Sequence, residues 1–248
     1  MDEGAGKKGG NVYYLSDSSH KFVVDFVGAI TLMKDSTGRV IKFDEDTGTV
    51  EVLMTGLAFP NGIEFTDDKT AVLVNELTAR KTWKYFVRGP KKGSYEVLCP
   101  NLPGFPDNIR RSARKDKETY WIAFYDAVNP ERPNPMTHAL VKYPQITQVG
   151  LKALFNLGKV VMDVGEVFKF QPLIDLGFMI KTQLFHQKID PFATGLAIEI
   201  DSRCDIVGSL QGKAVPLLSE VREVHESGRT VLYLGSYFND FLGKITKD

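Results

Sequence analysis

Apolar side chains recur along this chain with two different periods. Gly38-Arg39-Val40-Ile41-Lys42-Phe43-Asp44 and Thr82-Trp83-Lys84-Tyr85-Phe86-Val87 alternate in polarity, the two-residue period of a strand with one buried face. Ala71-Val72-Leu73-Val74-Asn75-Glu76 and Tyr120-Trp121-Ile122-Ala123-Phe124-Tyr125 are apolar runs of strand length. Asp46-Thr47-Gly48 supplies a turn ahead of Thr49-Val50-Glu51-Val52-Leu53. Strand pattern returns at Gly195–Asp201, continues through Ser202–Leu210, and ends with Ser219–Glu226 and Thr230–Ser236. Short strands separated by turn chemistry predict an antiparallel all-β fold.

Residues 144–192 follow the other period. Ile146, Val149, Ala153, Leu157, Val160, Val164 and Phe168 recur at spacings of three and four, which predicts an amphipathic helix after Pro144. Leu173 to Phe185 reads as a second helix after Gln171-Pro172. A helical insertion of this kind either packs on the sheets or serves as a lid or a membrane-facing surface. Its lysines, Lys152, Lys159, Lys169 and Lys181, are too few to decide between these readings.

A repeat refines the all-β reading. Leu57-Ala58-Phe59-Pro60-Asn61-Gly62-Ile63 and Leu102-Pro103-Gly104-Phe105-Pro106-Asp107-Asn108-Ile109 both carry Phe-Pro, a short polar residue and Ile. The two Phe residues, Phe59 and Phe105, are 46 positions apart, about the length of one four-stranded propeller blade. That spacing favours a propeller over a sandwich.

Composition excludes several alternatives. The 248 residues carry 31 basic and 31 acidic side chains, so neither nucleic acid nor an acidic membrane surface is expected as the main partner. Sixteen Phe, nine Tyr and two Trp are enough to bury a sizeable core. The longest apolar run, Phe22 to Met33, is about 12 residues and contains Asp25, too short to span a bilayer. Cys99 and Cys204 can form one disulfide, but nothing in the sequence demands it. No Asn-x-Ser/Thr acceptor occurs. Met1–Gly10 has four glycines and no apolar stretch, so residues 1–11 are expected to be a disordered leader and 12–248 the folded domain.

Tyr14-Leu15-Ser16-Asp17-Ser18-Ser19, Phe59-Pro60-Asn61-Gly62-Ile63, Gly104-Phe105-Pro106-Asp107-Asn108-Ile109-Arg110 and Leu232-Tyr233-Leu234-Gly235-Ser236 together resemble the strictosidine synthase-like family, most of all its animal, adipocyte membrane-associated branch. The resemblance runs from about Val12 to Lys244 and implies a six-bladed β-propeller related to paraoxonases and gluconolactonases. Six blades of about 45 residues need at least ~270 residues. The propeller is therefore expected to be incomplete here, with its N-terminal blades and any N-terminal membrane anchor missing. Family members are anchored or luminal, in the endoplasmic reticulum, the vacuole or at the cell surface.

The resemblance also implies candidate chemistry. Related propellers hold calcium in the central channel with one oxygen ligand from each of several blades. Asn61 and Asp107, at matching points of two blades, and Asn108 beside them are the candidate metal ligands. The alternative is that Pro-Asn-Gly and Pro-Asp-Asn are simply turns. Glu220 lies where strictosidine synthases place a pocket Glu that acts as general base, and it is the candidate catalytic residue. His20, His138, His186 and His225 show no metal-type spacing. Gly4-Ala5-Gly6-Lys7-Lys8-Gly9 follows no strand and opens no helix, so it is no dinucleotide fingerprint. Three functions follow as expectations. The first is hydrolysis of an ester or lactone bond in a small molecule, with a channel cation as Lewis acid and Glu220 as accessory acid or base. The second is strictosidine synthase-type carbon–carbon bond formation with Glu220 as base. The third is a non-catalytic binding scaffold.

Overall fold

The computed structural model describes residues 1–22, 30, 35–128, 143–182, 194–237 and 239–247. The chain divides into two compact units. Met1–Ser18, Gly38–Val128 and Ala193–Asp248 form the first, and Ser19–Thr37 with Asn129–Phe192 form the second.

The first unit consists of four antiparallel sheets, each a simple up-and-down meander. The first sheet holds β1 (Val12–Asp17), β2 (Gly38–Asp44) and β3 (Thr49–Leu57). The second holds β4 (Pro60–Phe65), β5 (Ala71–Glu76), β6 (Lys81–Phe86) and β7 (Tyr95–Cys99). The third holds β8 (Gly104–Arg111), β9 (Thr119–Ala127), β10 (Gly195–Asp201) and β11 (Ile206–Gly212). The fourth holds β12 (Glu220–Glu226), β13 (Arg229–Gly235) and β14 (Gly243–Lys247). The leading strands β1, β4, β8 and β12 touch one another in that order. Each sheet therefore turns its first strand toward a shared axis, the arrangement of propeller blades. The repeat spacing anticipated this all-β propeller, and four blades are seen among the described residues.

Burial explains why β5 and β9 read as unbroken apolar runs. Tyr120, Ile122 and Phe124 of β9 join a cluster with Leu73 of β5 and Ile109 of β8. Trp121 and Ala123, pointing the other way, join Val221 of β12 and Leu232 of β13. Val72 and Val74 of β5 likewise face Val40 of β2 and Met54 of β3. Successive side chains point to opposite faces of a strand, and in the middle blades both faces are covered. The Trp121 indole N–H donates to Glu223 Oε2 at 2.6 Å, tying the third blade to the fourth with a buried polar contact.

Cys99, at the end of β7, is bonded to Cys204, in the turn between β10 and β11, with Cα atoms 5.4 Å apart. The bond links the second blade to the third across 105 residues of sequence.

Two boundaries differ from the sequence reading. Residues 1–11 are not a disordered leader. Asp2 exchanges backbone hydrogen bonds with Val12 at 2.7 and 3.0 Å, is buried, and pairs with Arg88. The N–H groups of Lys8 and Gly10 donate to Asp46 Oδ2 at 2.6 and 2.9 Å. The expected strand over Ser202–Leu210 begins only at Ile206. The Asp201 carboxylate accepts hydrogen bonds from the N–H groups of Arg203 and Asp205 at 2.8 and 2.9 Å, which holds that segment as a turn.

In the second unit, α1 (Pro144–Val167) and α2 (Gln171–Thr182) form a helical hairpin. Pro144 stands in the first turn of α1, where its missing N–H costs nothing. The continuation of the second expected helix to Phe185, most of the Phe22–Met33 run, and His138 and His186 lie outside the described residues. No helix among the described residues is long and apolar enough to cross a membrane.

The disulfide yields a direct test. Closing a loop of about 100 residues removes entropy from the unfolded chain worth roughly 2–5 kcal/mol. The Cys99→Ser/Cys204→Ser variant should lose about that much in urea denaturation, and reductant should have no further effect on it.

Candidate functional site

The two Phe-Pro turns occupy equivalent places. Proline has no N–H to give the ladder, and pairing slips where each proline falls. The register breaks between Pro60 and Ile63 in β4, and again between Phe105 and Pro106 and between Pro106 and Ile109 in β8. Asn61 and Asp107 sit in these two irregularities, with the Asn61 side chain near enough to the Asp107 carboxyl to favour its ionised form.

Close backbone approach brings them together. A Cβ on Gly62 would fall 2.6 Å from Asn108 Cα, Asp107 O and Ile109 N, so only glycine fits between β4 and β8. Asn75 of β5, completely buried, donates from Nδ2 to Asp107 O at 2.8 Å. Its Oδ1 in turn accepts from Thr82 Oγ1 at 2.7 Å. On the flanks, Ser18 Oγ donates to Pro60 O at 3.1 Å. Asn108 donates from its backbone N and from Nδ2 to Ser219 O at 3.1 and 3.0 Å. Asn108 thus stitches β8 to the start of β12, a structural task that the metal-ligand reading did not anticipate.

Asp107 is 8% exposed. Burial pushes its carboxyl from the ordinary 3.8 up to about 7, opposed by the Asn61 hydrogen bond and the Arg110 charge and reinforced by Glu220. Glu220 begins β12, the next leading strand, and Arg110 Nε pairs with its Oε1 at 2.9 Å. Burial raises the Glu220 pKa as well, while Arg110 and Arg222 pull against it. Asn61, Asp107 and Glu220, from three successive blades, therefore converge in one electrostatic neighbourhood.

Two tyrosines extend the site, and sequence reasoning did not single them out. Tyr125 of β9 stacks on Tyr237 with ring centroids 5.9 Å apart. The Tyr125 hydroxyl is buried without an aligned hydrogen-bond partner. Burial raises both hydroxyl pKa values, Tyr237 to about 12, and the Asp107 charge adds to each. Their only signal in the sequence was an apolar run ending in Tyr125.

The histidines are placed elsewhere. His225 Nε2 pairs with Ala113 O at 2.9 Å, and His20 Nδ1 with Thr37 O at 2.9 Å.

Calcium requires six to eight oxygen ligands. Asn61 and Asp107 lie together, Asn108 donates from Nδ2 to Ser219 O and keeps its Oδ1, and Glu220 is paired with Arg110. No group of three or more His, Cys, Asp or Glu able to hold a metal occurs among the described residues.

An antiparallel propeller with polar side chains delivered to its axis by successive leading strands defines the class of this protein. Comparison with known proteins adds a family likeness. A strictosidine synthase family model matches residues 7–90. The adipocyte plasma membrane-associated protein of Danio rerio is 32% identical over 241 residues, covering 96% of this chain and 49% of that protein. Protein STRICTOSIDINE SYNTHASE-LIKE 10 of Arabidopsis thaliana is 30% identical over 237 residues, covering 94% of this chain and 53% of that protein. A solved structure titled luciferin-regenerating enzyme aligns at a TM-score of 0.45 with 9% identity, over 93% of this chain and 53% of that one, too distant a likeness to bear on function. The chain is similar to strictosidine synthase-like proteins over nearly its whole length, and it spans about half the length of these two curated relatives.

The buried carboxylate has a measurable signature. An acid whose folded pKa is raised keeps its proton in the folded state while the unfolded chain ionises. The stability cost therefore sets in above pH 4 and is complete above pH 7, at most about 4 kcal/mol for a shift from 3.8 to about 7. The Asp107→Asn variant should match the parent near pH 3.5 and exceed it in stability at pH 8, as read by thermal denaturation at the two pH values.

Proposed function

We propose that this propeller is an esterase- or lactonase-type hydrolase of small molecules, with Asp107 as its proton-transfer group. The observation that carries the reading is a carboxyl buried where three leading strands meet, so that burial pushes its pKa up to about 7. General acid–base catalysis works best when the catalytic pKa lies near the working pH, and such perturbed groups mark functional sites. In its ionised form Asp107 would accept a proton from a water molecule as the water oxygen bonds to the substrate carbonyl carbon. The same proton would pass to the leaving oxygen as the carbon–oxygen bond breaks. The Asn61 amide, which favours the ionised form of Asp107, would orient the carboxylate. Glu220, raised by burial and steadied by Arg110, would be the accessory acid or base. None of these steps is assigned to a cation.

The second reading, carbon–carbon bond formation with Glu220 as base, is favoured by the raised pKa of that half-buried carboxyl. For location we propose an oxidising, membrane-associated compartment. The Cys99–Cys204 bond is of the kind that persists outside reducing cytosol, and the animal relative is named for the plasma membrane.

Phenyl acetate hydrolysis separates the readings. Its kcat/KM should rise with pH through an inflection near 7, and Asp107→Asn should lower it by about 10²–10⁴-fold. Full activity in Asp107→Asn contradicts the hydrolase assignment. Amine–aldehyde condensation lost in Glu220→Gln but kept in Asp107→Asn supports the second reading.

A further inference from the structure

The helical hairpin of the second unit carries an apolar surface that its own packing leaves uncovered. In α1 the polar side chains form one stripe, from Gln148 through Lys152, Asn156, Lys159 and Asp163 to Glu166. Contact with α2 is made by another sector. A Cβ on Gly158 would lie 2.4 Å from Lys181 N, and one on Gly177 would lie 2.5 Å from Met162 N, so glycines let the two helices meet backbone to backbone. Roughly 100° or more around α1 from that contact runs a third stripe of Ile146, Val149, Leu157, Val160, Val164 and Val167. These six side chains are 41–77% exposed. An amphipathic helix normally buries such a stripe.

The exposure continues around the end of the hairpin. Phe168 and Phe170 are 75% and 55% exposed, and Leu176 and Phe178 of α2 are exposed as well. The turn is a Schellman closure, in which the Lys169 N–H donates to Glu166 O at 3.1 Å and the Phe170 N–H to Gly165 O at 2.9 Å. The left-handed residue of such a turn is usually glycine. Here it is Lys169 at φ 53, set between the two phenylalanines. A costly backbone conformation is given to a lysine that stands in sequence between two exposed phenylalanines.

We propose that this hairpin docks in the surface of a phospholipid bilayer, with the outer stripe of α1 and the Phe168–Phe170 tip in the acyl boundary and Lys169 at the phosphates. Two observations select lipid over a protein partner. The apolar surface wraps a convex end from α1 across the tip to α2, and fluid hydrocarbon follows such a shape where a rigid partner does not. The charge at the tip complements phosphate, and Lys152 and Lys159 lie on the adjoining polar stripe, where long side chains reach back to headgroups. Residues 143–182 carry four Lys (152, 159, 169, 181) against Asp163, Glu166 and Asp175. Apolar insertion therefore dominates the binding, and zwitterionic lipid suffices. This docking is independent of the axial site.

Flotation of the full chain with phosphatidylcholine vesicles, with and without phosphatidylserine and at low and high salt, tests the proposal. The chain should float with neutral vesicles and lose little at high salt. Phe168→Ser and Phe170→Ser should each weaken partitioning about tenfold, and the double variant about 10²-fold. Both residues are exposed, so the thermal midpoint should not move. Lys169→Gly, which suits the left-handed turn, should keep the fold and weaken binding a few-fold. Failure to float, undiminished flotation of the double variant, or binding seen only with anionic lipid and abolished by salt overturns the proposal. A concentration-dependent dimer that the double variant loses would overturn it in favour of a second copy of this chain.

Discussion

The axial site depends on one close contact, the backbone approach of β4 to β8 at Gly62. A side chain there would strike the Asp107–Ile109 backbone. With glycine, the two irregular turns nest, and the fully buried Asn75 amide fills the remaining requirement by donating to Asp107 O. A buried carbonyl left without that donor would cost about 1–3 kcal/mol. The glycine and the asparagine together hold the Asp107 backbone in place beside Asn61.

The electrostatics follow from that geometry. Glu220 of the next blade adds like charge at longer range and is largely answered by Arg110, so Asp107 carries the greater burden of burial. Two carboxyls in one neighbourhood thus receive different environments, the general route by which a site divides acid and base duties. The blade-to-blade hydrogen bonds of Asn108 to Ser219 and of Trp121 to Glu223 keep the third and fourth blades from spreading apart. The Cys99–Cys204 bond acts likewise on the blades that bear Asn61 and Asp107.

Much of this was legible in the sequence because its causes are local. Alternation and apolar runs marked the strands, and spacings of three and four marked α1. The Phe-Pro repeat marked Asn61 and Asp107 as equivalent, because proline interrupts both ladders in the same way. What escaped reading depends on partners far along the chain. Asn75 looked like the polar end of an apolar strand, yet its partner is 32 positions away. Asn108 looked like a ligand beside Asp107, and its second task, donating to Ser219 O, involves a residue 111 positions on. Tyr237 and Tyr125 meet only through the fold. The glycine-rich start lacked any apolar signal because polar groups, Asp2 with Arg88 and Asp46 with two backbone N–H groups, hold it down.

The most direct test of this account is the ionisation of Asp107 itself. Carbon-13 NMR titration of side-chain carboxyls, with the Asp107 signal assigned by its loss in Asp107→Asn, reads that pKa without reference to any substrate. The midpoint should lie near 7. A midpoint at or below about 4, the range of solvated aspartates, would mean that the carboxyl is not held in a buried pocket, and the site assigned to it would fall.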